Sequence, residues 1–310
     1  MNRKLVSVVL SLLAVLAFFL GIWLIGRLIN PSLNLDETAL LRFVFVGVGL
    51  LIVFVVYLAT KSSGIWEVGT RQVVYMAVGA ALYAIFSYLF NGTVFVVPSL
   101  SQVALRPAIA IPMFFGFAFG PVVGFFTGAV GNMFGDALTG FGLSPQWSVG
   151  NGLVGFIAGL VFLFKDRKKS MDTVLIISAV LAVLATGIYL LNQTVPNMVF
   201  FDAANNIFGD AKMTLFAGLS LVIGFLLVLL VRYLFRSNID IAAAVTWSML
   251  GNILGIGFAA ISDIWINGYP PAAAIVGEFL PSAGPNLIFA AILVPLLVAA
   301  YAAVQRQTGR

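Results

Sequence analysis

The stretch from Arg106 to Asn151 sets an arginine, two amides, a carboxylate and an indole into apolar, glycine-rich sequence. Asn132 and Asp136 are four residues apart, as are Trp147 and Asn151. On a helix that spacing puts each pair on one face. A helix that meets only lipid has no use for such residues, because polar groups in a bilayer turn toward protein or water. Arg106 precedes Pro107, and proline is favoured in a first helical turn, so it marks a helix start. It reads either as an anchor that snorkels to water or as a donor to an anionic or carbonyl-bearing ligand. Asp136 reads as an interfacial carboxylate or a ligand group. Trp147 reads as an interface-belt residue or a flat surface on which a ligand ring stacks. Asn252, inside the apolar string SMLGNILG, must find partners, either as glue between helices or as a ligand contact.

A second group lies in ISDIWINGYPPAAAIVGEFLPSAGPN, which carries Asp263, Trp265, Asn267, Glu278 and Asn286. The spacing reads as a long last outer loop folded over the mouth of a helix bundle. Trp265 and Glu278 join Arg106, Asn132, Asp136, Trp147, Asn151 and Asn252 as candidate substrate-binding residues. Asp136, Asp263 and Glu278 would form a cation or proton site, or serve as solvated loop charges.

The elements that must hold these residues are membrane helices. Hydrophobic residues make up 62% and charged residues 9% of the chain, against about 25% charge in soluble domains. Ten apolar runs are long enough to span a bilayer core of about 30 Å: 5–29, 40–60, 73–90, 103–119, 121–138, 148–164, 173–191, 214–235, 241–261 and 286–304. A break at Gly120–Pro121 makes the loop charges alternate. Arg3, Lys4, Lys61, Arg71, Lys165, Arg167, Lys168, Lys169, Arg232, Arg236, Arg306 and Arg310 then share one side, and only Arg27, Arg42, Arg106 and Lys212 the other. The positive-inside rule makes the first side cytoplasmic, with both termini there. The expectation is a multi-pass protein of a prokaryotic plasma membrane, its amino-terminal apolar run retained as a helix.

The same composition excludes several classes. Histidine and cysteine are both absent, which removes the usual general base, Ser-His-Asp triads, disulfides and Cys-ligated metals. A GxxxxGK[ST] phosphate loop is missing too. The reading is a non-enzyme with no cofactor and no metal site. The net charge of +5 is a topology signal and does not point to nucleic acid.

Texture divides the chain. Residues 5–60 and 173–235 are plain Leu/Val/Phe hairpins, whereas 73–164 and 241–304 are rich in Gly, Ala, Pro and Asn. Small residues let helices approach closely. The expected architecture is an all-α polytopic membrane protein with a six-helix bundle and two peripheral hairpins. Residues 1–61 form an accessory hairpin dispensable for capture, with Arg27 and Arg42 snorkelling at its ends. Residues 62–310 form the bundle, with a hairpin inserted at about 172–238. Gly116, Gly120, Gly124 and Gly128 recur every four residues and read as tight packing. Ala77, Ala80, Ala81 and Ala84 form two overlapping Ala-xxx-Ala pairs. That smooth face serves either internal packing or the seat of a helix from another protein.

These strings carry a family resemblance. VVYMAVGAALYAIFSYL, RPAIAIPMFFGFAFGPVVGFFTGAVGNMFGDAL and WSVGNGLVGFIAGL resemble the substrate-binding S component of energy-coupling-factor (ECF) vitamin transporters, and most closely its riboflavin-type subgroup. The carboxy-terminal string from Trp247 to Tyr301 resembles the last two helices of that subgroup. The resemblance implies a subunit that captures a vitamin or related heterocycle at the outer face. It would dock on a transmembrane T component driven by paired ATPase subunits, and topple to release its ligand inside. It also implies that an Ala-xxx-Ala face, here Ala77 and Ala81 or Ala80 and Ala84, meets the T component. The two hairpins depart from the family pattern. A reading from another class is a stand-alone proton- or sodium-coupled secondary transporter of a small metabolite, although such transporters place their coupling sites near the midplane.

Overall fold

The computed structural model describes residues 3–308 except 36, 92–95, 98–102, 105, 140–141, 195 and 203–206. Arg310, one of the charges used for the topology, lies outside the described residues, as do parts of the 192–212 loop. Ten helical segments follow one another: α1 (Arg3–Ile29), α2 (Ala39–Thr60), α3 (Thr70–Asn91), α4 (Ala110–Phe119), α5 (Pro121–Thr139), α6 (Pro145–Gly159), α7 (Arg167–Leu191), α8 (Leu215–Leu234), α9 (Ile239–Ile266) and α10 (Pro271–Gln307). Among the described residues, eight helices are long and apolar enough to cross a membrane. The short α4, preceded by the 3-10 turn Pro107–Ile109, and α5 complete the succession.

The sequence places the break between α4 and α5, and the structure shows why it forms. Gly120 adopts φ 105° and ψ 163°, a conformation that is essentially glycine-only. Pro121 then opens α5, where its missing N–H costs nothing. The 3-10 turn of three residues and the ten residues of α4 cover about 20 Å, against about 30 Å for the bilayer core. The segment from Pro107 to Phe119 is therefore shorter than a full span.

Helices α6 and α9 are central, with 72% and 67% of their apolar windows buried. The corresponding values are 28% for α1, 17% for α2, 28% for α7 and 33% for each of α3, α8 and α10. Helix α5 packs on α3, α4 and α6; α6 packs on α9; α9 packs on α10 and α7; α8 lies on α10, α1 on α5 and α2 on α6.

The glycine spacing acts as backbone contact. A Cβ on Gly128 would meet the carbonyl group of Asn151, with its carbon at 2.6 Å, and Gly152 N at 2.8 Å. Gly155 is equally tight against the backbones of Gly124 and Pro112. Helices α4, α5 and α6 thus touch main chain to main chain.

Two features differ from the sequence reading. The 262–286 stretch is helix rather than a loop over the mouth: only residues 267–270 interrupt it, with Gly268 at φ 70°. Helix α10 starts at Pro271 and runs through a π-helical stretch, Ala274–Phe279. Pro285 and Pro295 lie inside the helix, as membrane helices tolerate where neighbours satisfy the freed carbonyls. The outer connections are also more ordered than plain loops. Val96–Val97 pairs antiparallel with Val103–Ala104, and Pro196–Asp202 with Ile207–Lys212.

Candidate functional site

Four elements deliver one buried polar cluster at one end of the bundle. Arg106, at the start of the Pro107 turn, donates from Nη1 to Asn132 Oδ1 at 2.6 Å and from Nη2 to Asp136 Oδ1 at 3.2 Å. Asn132 Nδ2 donates to Asp136 Oδ2 at 2.9 Å and to Ser148 Oγ at 3.0 Å. Asn151 Nδ2 donates to the Trp147 carbonyl at 2.9 Å and reaches Asn132 Oδ1 at 3.3 Å. The Tyr83 hydroxyl closes the chain by donating to Asn151 Oδ1 at 3.0 Å. Tyr83 and Ser148 are 0% exposed and Asn132 1%, while the Arg106 side chain keeps 22% exposure. Arg106 is the most exposed member of the network.

The four-residue spacing of Asn132 and Asp136 does its expected work, presenting both to one arginine. Tyr83 and Ser148 were not singled out from sequence. A hydroxyl in an apolar helix carries no sign of its partner, although Ser148 lies between Trp147 and Asn151 on the same turn.

Trp147 faces a second cluster. Its Nε1–H donates to Asp263 Oδ2 at 2.7 Å, and Gln146 Nε2 donates to Asp263 Oδ1 at 3.0 Å. Arg42 of α2 donates from Nη1 to Gln146 Oε1 at 3.2 Å and from Nε to Thr38 Oγ1 at 2.8 Å. Arg42 therefore turns inward rather than snorkelling, whereas Arg27 is exposed, its guanidinium 5.4 Å from the Trp23 ring centroid. Asp263 is 1% and Glu278 0% exposed, so neither is a solvated loop charge. Tyr269 sits in the turn between the helices that carry them. Burial first, then the charges of Glu278 and Asp263, push its pKa up to about 12.

The remaining candidates spread out. Asn252 is fully buried and donates from Nδ2 to the Ala283 carbonyl of α10 at 2.7 Å, with Oδ1 unpartnered among the described residues. It joins α9 to α10 and is not among the hydrogen-bonded partners of Arg106. Asn286 is buried and Asn267 exposed. Trp265 is 59% exposed, its ring 5.8 Å from that of Phe45 on α2, outside both clusters.

On α3 the two alanine registers separate. Ala80 and Ala84 are each 5% exposed, against α5, where Gly131 and Gly135 abut their carbonyls. Ala77 and Ala81 are exposed, and all four alanines line an apolar groove of about 690 Å³ between α1, α3 and α5.

Residues 67–211, which hold the whole Arg106 cluster, match the family described as ECF-type riboflavin transporter, S component. The matched segment is similar to that S-component family over slightly less than half of the chain. Similarity to curated proteins agrees in extent. A UPF0397 protein of Aliivibrio salmonicida is 34% identical over 102 residues, 33% of this chain and 54% of its own length. One from Aliivibrio fischeri is 37% identical over 105 residues, 34% and 55% of the two chains, and one from Vibrio atlanticus 39% over 90 residues, 29% and 47%. The chain spans about half the length of the curated relatives it matches. No solved structure matches. The S-component match lies in a protein that adds α1–α2 before the matched segment and α8–α10 after it.

Proposed function

We propose that this protein is the substrate-capture subunit of an ECF-type importer, taking a small heteroaromatic vitamin or precursor, riboflavin-like or thiamine-precursor-like, from the outer face. The observation that carries the reading is the Arg106–Asn132–Asp136–Ser148–Asn151–Tyr83 network within the S-component segment. Arg106 and Trp147 are of the types such a ring needs: a donor for a carbonyl-bearing edge and a flat apolar face for stacking. On this reading the capture bundle is α3–α6 with α9 and α10. The 1–61 hairpin and the insertion at about 172–238 flank it, and both termini lie in the cytoplasm. The partners are a transmembrane T component and paired ATPases. Ala77 and Ala81 are the register left open for the T component, since Ala80 and Ala84 are occupied by α5.

The test is mass spectrometry of ligand carried through purification, followed by titration with riboflavin, thiamine and their precursors. Protein that carries no heterocycle and binds none of these refutes the reading. Coupled secondary transport draws support from one observation, the fully buried Glu278 on α10. Uptake that needs a proton or sodium gradient but no ATPase partner would favour it.

A further inference from the structure

The polar contacts of the amino-terminal hairpin continue past its own loop. Asp263 is 1% exposed, and it accepts hydrogen bonds from two neutral donors, Gln146 Nε2 and Trp147 Nε1. A carboxylate this buried needs a cation close by. The structure brings Arg42 to it, one amide away, from α2. Arg42 also sets the direction of the chain. Arginine only donates, so it turns the Gln146 amide oxygen toward itself and leaves the amide nitrogen to face Asp263. Asp263, with one oxygen held by Gln146, presents the other to the Trp147 indole. Helix α2 is well seated for this role: Gly49 abuts Val149 of α6, and the Phe45 ring lies 6.3 Å from Phe258 and 5.8 Å from Trp265 on α9.

We infer that Arg42 is a positioning residue, and that through Gln146 and Asp263 the amino-terminal hairpin fixes the Trp147 indole at the start of α6. The hairpin is then part of the site's architecture and not a dispensable accessory. Its effect on ligand affinity rests on the capture reading; its effect on Trp147 does not.

The full-length protein, labelled with 15N-tryptophan in detergent, gives one indole N–H resonance per tryptophan, and Trp147→Phe identifies the Trp147 signal. In Arg42→Gln that resonance shifts while those of Trp66 and Trp247 stay in place. Arg42→Lys, which keeps a cation, retains it near its original position. Riboflavin serves as the ligand probe, with an expected loss of at least tenfold in affinity for Arg42→Gln. Combining Arg42→Gln with Asp263→Asn brings affinity back to that of Asp263→Asn alone, because no buried charge is left to neutralise. A Trp147 resonance unmoved by Arg42→Gln overturns the inference, as do additive losses in the double variant. If Arg42→Gln unfolds the chain, recovery of folding by added Asp263→Asn supports the inference and failure to recover overturns it. Wild-type protein that ignores riboflavin counts against that ligand class only, and the indole measurement then decides.

Discussion

Replacing Gly128 by alanine tests whether backbone contact between α5 and α6 holds the site together. The added methyl would lie 2.6 Å from the Asn151 carbonyl carbon and 2.8 Å from Gly152 N. Ordinary contact is about 3.5 Å, so α6 must retreat by about 1 Å. No flexible side chain is available to absorb that movement. Overpacking of this kind costs about 1–3 kcal/mol, offset by up to about 1 kcal/mol of helix propensity. The net expectation is a destabilisation of about 2 kcal/mol. The same retreat stretches the 3.3 Å Asn151–Asn132 contact beyond hydrogen-bond length and strains the 3.0 Å bond from Tyr83. Losing one or both, at about 0.5–1.5 kcal/mol each, weakens ligand binding roughly 3- to 100-fold. Gly21→Ala is the control: nothing lies within 4 Å of its added methyl, and propensity alone raises stability by up to about 1 kcal/mol. Thermal unfolding in matched detergent, with ligand titration of the folded protein, reads both effects. Gly128→Ala as stable and as tight-binding as the parent refutes the argument.

Other substitutions separate the remaining parts. Arg106→Gln strips the cation from Asp136, whose side chain is only 10% exposed, and should cost about 3 kcal/mol in unfolding free energy; adding Asp136→Asn should restore most of it, and equal losses in the single and double variants would refute the pairing. Ala81→Trp, in the open groove, should fold and bind ligand yet slow uptake in cells holding the whole transporter, whereas Ala84→Trp, facing α5, should fail in detergent size-exclusion. Normal uptake by Ala81→Trp would remove this face from docking. Gly120→Ala forces a side chain into a glycine-only conformation, with an expected loss of about 1–3 kcal/mol measured by thermal unfolding.

How far the fold was legible depended on what each residue has to do locally. The Gly120–Pro121 break could be read because the basic residues between spans fall on alternate sides only if the chain turns there. Asn132 with Asp136 could be read because i,i+4 spacing is a helix property. Gln146, Tyr83 and Ser148 could not, because their roles depend on partners 117, 68 and 16 residues away in sequence. The 262–286 stretch was misread as a loop because its polar residues find partners inside the bundle that the local sequence does not show. Here Asn252 reaches the Ala283 carbonyl and Ser220 the Leu280 carbonyl at 3.2 Å, contacts that no local pattern announces. Arg42 was misread as a snorkelling anchor because position along a span says nothing about which way a side chain turns.

The main-chain seam joining α4, α5 and α6 also governs how this protein can change over generations. Glycines at the seam have no neutral neighbours in sequence space, since even one added carbon meets backbone. The residues presented at its outer rim, Asn132, Asp136, Ser148 and Asn151, are attached to that frame without forming it. A population selected for a new ligand would therefore accumulate replacements at the rim while the seam stayed fixed. Two descendants could then differ completely in what they recognise and remain superimposable through these three helices.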